Sequence, residues 1–214
     1  MKRKNVIVLI AVVVLIITVF YSFEGSQDDT AWRKEIEKER EEKDRFMRTS
    51  PESPFAKAPE NYKGLNYYPP NIKYRVIANL RPITEKKPVV LTTNDGKEQR
   101  YIEYAYAEFK LDGVNNKLLI LEIIDMGPFR GKLFLAFGDD TSAGETYGGG
   151  RYLDVTKTPG SSTIKLDFNL AYNPYCAYEE SYTCPLPPRE NILAIPIKAG
   201  EKVYPSPHAP THDS

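Results

Sequence analysis

The chain has 214 residues, and its 29 Lys and Arg residues balance its 29 Asp and Glu residues, so the formal net charge at pH 7 is zero. This length fits one domain with appended segments. The neutral balance argues against the clustered basic face that nucleic-acid binding needs, so we expect no nucleic-acid partner.

The N-terminus has the pattern of a signal anchor. Lys2-Arg3-Lys4 precedes an apolar run, residues 6–21, that contains no charge, Gly or Pro. An uncharged helix over residues 5–23 would reach about 28 Å, close to the thickness of the bilayer core. The run is longer than a typical signal-peptide core, and Phe20-Tyr21-Ser22-Phe23 lacks a small-residue cleavage pattern. We therefore predict a retained transmembrane helix rather than a cleaved signal peptide.

The charge distribution around this run predicts the topology. The positive-inside rule places the basic tip in the cytoplasm. Residues 1–23 are thus predicted to form the cytoplasmic tip and the anchor, and residues 5–23 contact the cytoplasmic membrane. We expect a single-pass protein of the inner membrane whose remaining chain is extracytoplasmic, in the periplasm.

Residues 24–49 are predicted to form a charged helical stalk. Asp28 or Asp29 can cap its start. Apolar side chains are few, so we expect the middle of the helix to be solvated and its C-terminal end to dock through Phe46 and Met47. A coiled-coil partner is the alternative, but no a/d heptad is sustained. Residues 50–54, Ser-Pro-Glu-Ser-Pro, stop the helix.

Residues 50–202 have the pattern of a mainly β domain. Apolar and polar residues alternate from Ile72, and the pairs Asp95-Gly96 and Asp112-Gly113 predict tight turns. About eight short, mostly antiparallel strands are expected, in a sandwich or a partly closed barrel, after the transmembrane helix and the charged helix. The predicted strands are residues 72–81, 88–93, 101–111, 118–124, 132–137, 151–155, 163–168 and 192–197. Residues 203–214 are predicted to be a disordered tail.

Several long and unusual strings occur in the C-terminal half. They are residues 137–141, 145–152, 166–178, 184–191 and 197–202, that is FGDDT, ETYGGGRY, LDFNLAYNPYCAY, CPLPPREN and IKAGEK. Together they resemble the bacterial and archaeal family called domain of unknown function 1684, over roughly residues 46–202. The resemblance implies that the strings belong to one domain, and that its matched polar residues are the place to seek a site. It implies no activity.

Cys176 and Cys184 are the only cysteines. An even number of cysteines in an exported protein suggests a disulfide, here a structural one, because the C-x-x-C spacing of redox enzymes is absent. A zinc site needs about four ligands. The only histidines, His208 and His212, lie in the predicted tail, so no metal site is expected.

Carboxylates are candidates for catalysis. Asp140 and Glu145 lie on a predicted loop and Asp167 near a strand end. A converging pair could perform acid–base chemistry or hold a divalent cation, as in a hydrolase-like or isomerase-like enzyme. The alternative is structural: these are ordinary turn residues, and Arg151 pairs with Asp167 or Asp140 inside the fold.

A binding role is the favoured hypothesis. Tyr side chains combine a flat apolar face with a polar end, which suits the stacking of sugars or aromatic molecules, although they also fill cores. We expect a small-molecule or glycan-binding or structural module of the cell envelope. A scaffold using the stalk and residues 185–188 is a further alternative. The candidate ligand-binding residues are Thr141, Tyr147, Gly150, Arg151, Tyr152, Asn169, Tyr172 and Asn173.

Overall fold

The computed structural model describes residues 29–125 and 127–205. The chain divides into two compact units, Met1–Glu41 and Glu42–Ser214. Within these described residues one α-helix, α1, spans residues 29–49. Within the described ranges, no helix is both long and apolar enough to cross a bilayer. The predicted anchor, residues 5–23, lies outside these ranges, as do residues 206–214 of the predicted tail.

Both ends of α1 carry buried apolar side chains. In the first unit Trp32 and Ile36 are buried, whereas the sequence predicted a helix that is solvated except at its C-terminal end. In the second unit Met47 packs, as expected, in an aromatic cluster with Phe55 and Tyr204. Because Tyr204 is buried, the packed domain extends beyond the predicted boundary at residue 202.

Seven strands form one antiparallel sheet in the order β6-β5-β4-β3-β1-β7, with β2 paired to the first part of β3. A register shift between Glu103 and Ala105 separates the part of β3 that pairs with β2 from the part that pairs with β1. The outer strands β6 and β7 contact each other, so the sheet curls into a half-barrel. The strands are β1 Arg75–Pro82, β2 Pro88–Thr92, β3 Glu98–Leu111, β4 Val114–Ile123, β5 Leu133–Phe137, β6 Arg151–Val155 and β7 Thr163–Asp167.

The local patterns explain these elements. In β1 the side chains of Val76, Ala78 and Leu80 are buried, while Ile77 between them is 64% exposed. Both predicted turns form: Gly96 has φ +78°, and Asp112 and Gly113 have φ +52° and +79°. These positive angles are what Asp-Gly pairs supply to tight hairpins. The mainly β prediction is therefore confirmed, with the curled sheet nearer to a partly closed barrel than to a sandwich.

The eighth predicted strand, residues 192–197, does not form. Ile192 makes only an isolated parallel bridge with Gly138. The preceding residue, Asn191, is fully buried and inserts its side chain between β4 and β5. Its amide nitrogen donates to the carbonyl oxygens of Leu119 and Ala136, each at 2.9 Å, and its Oδ1 accepts from the Leu119 N–H at 2.7 Å. The segment therefore links β4 to β5 and does not add a strand to the sheet.

The sheet is buried on both faces. One face carries the main core, in which Leu118, Ile120 and Phe137 are fully buried. The other face carries a smaller cluster that includes Leu119, Leu121 and Phe134. Successive residues of β4 point to opposite faces, which explains why this strand is almost continuously apolar. The candidate site lies on the face with the smaller cluster.

Candidate functional site

A cleft of about 630 Å³ opens on this second face. It lies beside β5 and β6, whose residues Phe134, Tyr152 and Asp154 contribute to its wall. Its volume falls in the range usual for small-molecule sites. The lining residues are Tyr101, Ile123, Phe129, Gly131, Lys132, Leu133, Phe134, Tyr152, Asp154, Val155, Thr156, Lys157, Tyr172 and Pro185.

Four aromatic rings form a continuous row along the cleft. The ring centroids of Tyr101 and Phe134 are 5.2 Å apart, those of Phe134 and Tyr152 5.7 Å, and those of Tyr152 and Tyr172 5.9 Å. The rings are tilted or edge-to-face, the arrangement that aromatic quadrupoles favour. Strand pairing holds the row in place, because Tyr152 and Tyr172 also exchange backbone hydrogen bonds of 2.8 and 2.9 Å.

The three tyrosine hydroxyls of the row donate hydrogen bonds within the protein. Tyr101 donates to Oε1 of Gln99 at 2.7 Å, Tyr152 to the Pro185 carbonyl at 2.6 Å, and Tyr172 to Oδ1 of Asp154 at 2.7 Å. Burial raises the pKa of Tyr101 to about 12 and raises the pKa of Tyr152 and Tyr172 further. The phenols therefore stay neutral at physiological pH. The half-buried rings of Tyr152 and Tyr172 offer carbon surface to a ligand, while the rings of Tyr101 and Phe134 are buried.

Polar groups are concentrated at one end of the cleft. The register pairs Leu133 with Val155, so Lys132 just before β5 and Thr156 and Lys157 just after β6 lie at the same end of this strand pair. The Lys132 ammonium lies 4.8 Å from the Phe129 ring centroid. The cleft thus combines an aromatic row with side chains that bind charged or hydroxyl groups.

Behind the aromatic row lies a buried carboxylate, Glu201. It accepts hydrogen bonds from the Tyr178 hydroxyl and from Nδ2 of Asn173 (3.0 Å), and the Lys43 ammonium lies 3.3 Å from its Oε2. That ammonium also lies 4.0 Å from the centroid of the Tyr172 ring. Burial lowers the pKa of Lys43, and the attraction of Glu201 opposes this shift. Lys43 thus supports the Tyr172 ring from behind.

A second buried charge pair fixes the C-terminal segment. Nη2 of Arg151 lies 2.8 Å from Oδ2 of Asp139, and their side chains are 1% and 0% exposed. The same guanidinium donates to the carbonyl oxygens of Ile197, Ala199 and Glu201. It therefore holds the segment by its main chain, a structural arrangement rather than a ligand contact.

Of the predicted ligand-binding residues, Tyr152 and Tyr172 line the cleft, and the other six have internal partners. The Thr141 hydroxyl donates to Asp139 at 2.6 Å, and the Tyr147 hydroxyl lies 3.7 Å from Sγ of Cys176. Gly150 packs against Phe137 and Pro187. Arg151, Asn169 and Asn173 are buried, with Asn169 bonded to Asn71 and Asp167 and Asn173 to Glu201.

The three candidate carboxylates lie in separate environments. Glu145 accepts from the Tyr68 hydroxyl at 3.1 Å and pairs with Lys198 at 2.7 Å. Asp167 caps a 3-10 turn through the Asn169 N–H, and the Asp140 side chain is exposed. The predicted pairing of Arg151 with Asp140 or Asp167 is wrong, because Asp139 takes that place. Among the described residues, no group of three or more His, Cys, Asp or Glu is placed to hold a metal ion.

Cys176 and Cys184 are buried neighbours. The Cys176 N–H donates to Sγ of Cys184 at 3.2 Å. Both are free thiols in the structure, so the predicted disulfide is not formed in it.

Sequence reasoning missed several residues of the cleft and its support. Tyr101 and Phe134 fit the alternation of core residues, and Lys43 belonged to the predicted stalk, so neither pattern indicated a site. Glu201 lies in the last matched string, residues 197–202, and no other sequence feature distinguished it. A buried carboxylate paired with a half-buried ammonium is a tertiary relationship that no local pattern encodes.

Comparison with known proteins supports the family resemblance. The sequence profile described as "Protein of unknown function (DUF1684)" matches residues 60–202. Among curated proteins, none matches the chain. The fold is similar to the solution NMR structure of an uncharacterised protein from Haloarcula marismortui, with 35% sequence identity, a TM-score of 0.63, and coverage of 82% of this chain and 96% of that one. The five matched strings of the C-terminal half thus belong to one domain, and the chain is a member of the DUF1684 family.

Proposed function

We propose that this protein is a binding module of the cell envelope that takes a small molecule or glycan in its aromatic cleft. The observation that carries the proposal is the row of four rings in a cleft of about 630 Å³. Strand pairing and internal hydroxyl bonds fix the rings before a ligand arrives, which reduces the entropy cost of binding.

The distribution of polar groups favours a ligand with one flat apolar face. The aromatic row contacts that face, since its hydroxyls already have acceptors. Lys132, Thr156 and Lys157 contact the polar edge of the ligand at the other end of the cleft. Sugars have this combination of an apolar ring face and hydroxyl groups at the edge.

We further propose that residues 5–23 anchor the protein in the cytoplasmic membrane and that the domain lies outside it. The support is the uncharged run after a basic tip. Protease added to intact spheroplasts should then digest the domain. A domain digested only after lysis would contradict this topology.

The two alternative functions receive less support. The enzyme hypothesis required Asp140, Glu145 and Asp167 to converge, and their side chains have separate environments. The scaffold hypothesis required an available Pro-rich segment. However, Pro185 bridges to Thr93, and the Leu186 N–H donates to the Thr92 carbonyl at 2.8 Å, so this segment is engaged within the domain.

The binding proposal is tested with the full chain in detergent micelles. Tyrosine ring signals are recorded by NMR while envelope-type oligosaccharides and small aromatic acids are added one at a time. A ligand of the cleft should shift the signals of Tyr101, Tyr152 and Tyr172. If none of these compounds shifts them, the proposed site is wrong for both ligand classes.

A matched pair of lysine variants sharpens the test. Lys132 in the cleft and Lys117 outside it are both exposed and both lie over an aromatic ring, at 4.8 and 4.3 Å from its centroid. Lys132→Ala should weaken binding about tenfold or more, the value of one charged hydrogen bond. Lys117→Ala should leave it unchanged. Equal weakening in both variants would indicate a nonspecific charge effect.

A further inference from the structure

We propose that Cys176 and Cys184 form a reversible dithiol–disulfide site that fastens one wall of the aromatic cleft. The site is separate from the ligand-binding role, and it needs no ligand to operate. In this site a small disulfide oxidises the two thiols by thiol–disulfide exchange.

The first support is proximity. The sulfur of Cys184 accepts the Cys176 N–H at 3.2 Å, so it lies against the backbone of the other cysteine. Both residues are buried, at 8% and 7% exposure, so the two thiols are neighbours inside the domain.

The backbone hydrogen bond also assigns the roles of the two thiols. The Cys176 N–H donates to the Cys184 sulfur at 3.2 Å, which favours the thiolate form of Cys184. The neighbouring Cys176 thiol and this backbone hydrogen bond lower the pKa of Cys184, whereas the neighbouring Cys184 sulfur and burial raise the pKa of Cys176. Because the backbone stabilises its thiolate, Cys184 reacts first, and Cys176 is the resolving thiol.

The reaction balances with a small disulfide as oxidant. The Cys184 thiolate attacks one sulfur of the oxidant, forming a mixed disulfide and releasing one small thiolate. Cys176 then loses its proton, and its sulfur attacks the Cys184 sulfur, which releases the second small thiolate. The protein loses two protons and two electrons, and the oxidant takes them up to become two thiols.

The site is coupled to the cleft through the chain. Pro185 follows Cys184 directly, lines the cleft, and accepts the Tyr152 hydroxyl at 2.6 Å. On the other side, the Cys184 N–H donates to Oδ1 of Asn94 at 2.7 Å. A covalent bond to Cys176 would therefore restrain the segment that forms this wall.

The experiment oxidises the reduced full chain in detergent micelles with oxidised glutathione. We expect an intact mass lower by two hydrogen atoms, a melting temperature raised by roughly 4–12 °C, and slower hydrogen exchange at the Leu186 amide. Added reductant should reverse all three changes. A chain that keeps two titratable thiols after this treatment would overturn the proposal, and unchanged exchange at Leu186 would overturn the restraint of the wall.

Two serine variants test the assigned roles. Cys176→Ser should retain one stable glutathione adduct, on Cys184, because the resolving thiol is missing. Cys184→Ser should react much more slowly, because the remaining thiol is the one with the raised pKa. The reverse result would overturn the roles. Circular dichroism checks that both variants fold, and the wild-type mass measurement does not depend on them.

Discussion

Arg151 and Asp139 form an ion pair of 2.8 Å from which water is excluded, with side chains 1% and 0% exposed. Such a pair contributes little net stability over an apolar replacement, yet removing one partner leaves a buried charge uncompensated. The Arg151 guanidinium also donates to three carbonyl groups of the C-terminal segment, so its removal leaves these acceptors unpaired as well.

Replacing Arg151 should destabilise the domain strongly. We expect Arg151→Met to lower the free energy of unfolding by about 3–5 kcal/mol, measured by urea denaturation. The matched control is Arg81, which bonds Glu108 at 2.9 Å with side chains 70% and 40% exposed. Arg81→Met should cost at most about 1 kcal/mol. Similar losses in both variants would contradict the role of burial.

Asn191 should be needed for joining β4 to β5. Asn191→Ala leaves the Leu119 N–H and the carbonyls of Leu119 and Ala136 without the side-chain partner they have now. The expected loss in free energy of unfolding is about 3 kcal/mol or more, since each buried unpaired group costs about 1–3 kcal/mol. Asn115 is exposed, and Asn115→Ala should change stability by less than about 0.5 kcal/mol. A mild Asn191→Ala phenotype would mean that water replaces the amide.

Alanine substitutions at Gly150 and Gly160 distinguish the cost of backbone strain from the cost of a steric clash. Both have positive φ, +83° and +75°. A Cβ at Gly150 would lie 2.7 Å from the Phe137 carbonyl oxygen, whereas a Cβ at Gly160 would have no atom within 4 Å. Gly160→Ala should cost about 1–2 kcal/mol from the backbone alone, and Gly150→Ala clearly more. Thermal denaturation of the two variants measures the difference, and equal costs would show that the chain near residue 150 relaxes freely.

Asp95 should make stability depend on acid pH. Two hydrogen bonds hold the pKa of Asp95 well below its usual range. The larger effect comes from Lys97 (2.7 Å) and the smaller from Thr93 (2.6 Å). Because the folded-state pKa is depressed, the stabilisation is complete above the unfolded-state value of about 3.9. It is lost as pH falls from there through the folded-state pKa.

The comparison is between wild type and Asp95→Asn. The variant should melt at a lower temperature at neutral pH, and the two melting temperatures should converge as the solution is acidified below about pH 4. A difference that stays constant down to the lowest accessible pH would contradict the depressed pKa. Carbon NMR titration of the Asp95 carboxyl group measures the same shift directly.

The sequence predicts the sheet better than the site, for a physical reason. Period-2 alternation and Asp-Gly turns are local, so seven of the predicted strands form. Residues 192–197 have the same apolar pattern, but their pairing is limited to the isolated bridge between Ile192 and Gly138. The alternation of apolar and polar residues indicates that a segment has one buried face. It does not indicate which backbone groups form hydrogen bonds with another strand.

The position of a side chain in the cleft could be predicted only where that side chain alone has the required chemistry. Tyr152 and Tyr172 line the cleft, and Tyr has an apolar face and a polar end. Arg151 is buried outside the cleft, although a charged residue in a polar string suggests an exposed contact. Its burial depends on Asp139 and on carbonyl groups almost fifty residues away in sequence, which become neighbours only in the fold.

The position of Asn191 has a consequence for the order in which the domain is made. Residues 191–201 complete three parts of the domain. They join β4 to β5, provide carbonyl acceptors for the Arg151 guanidinium, and supply the Glu201 carboxylate that pairs with Lys43. A nascent chain that lacks these residues leaves a buried guanidinium without its carbonyl acceptors, so it cannot close its core. Folding of the domain therefore cannot be completed until residues 191–201 have been synthesised.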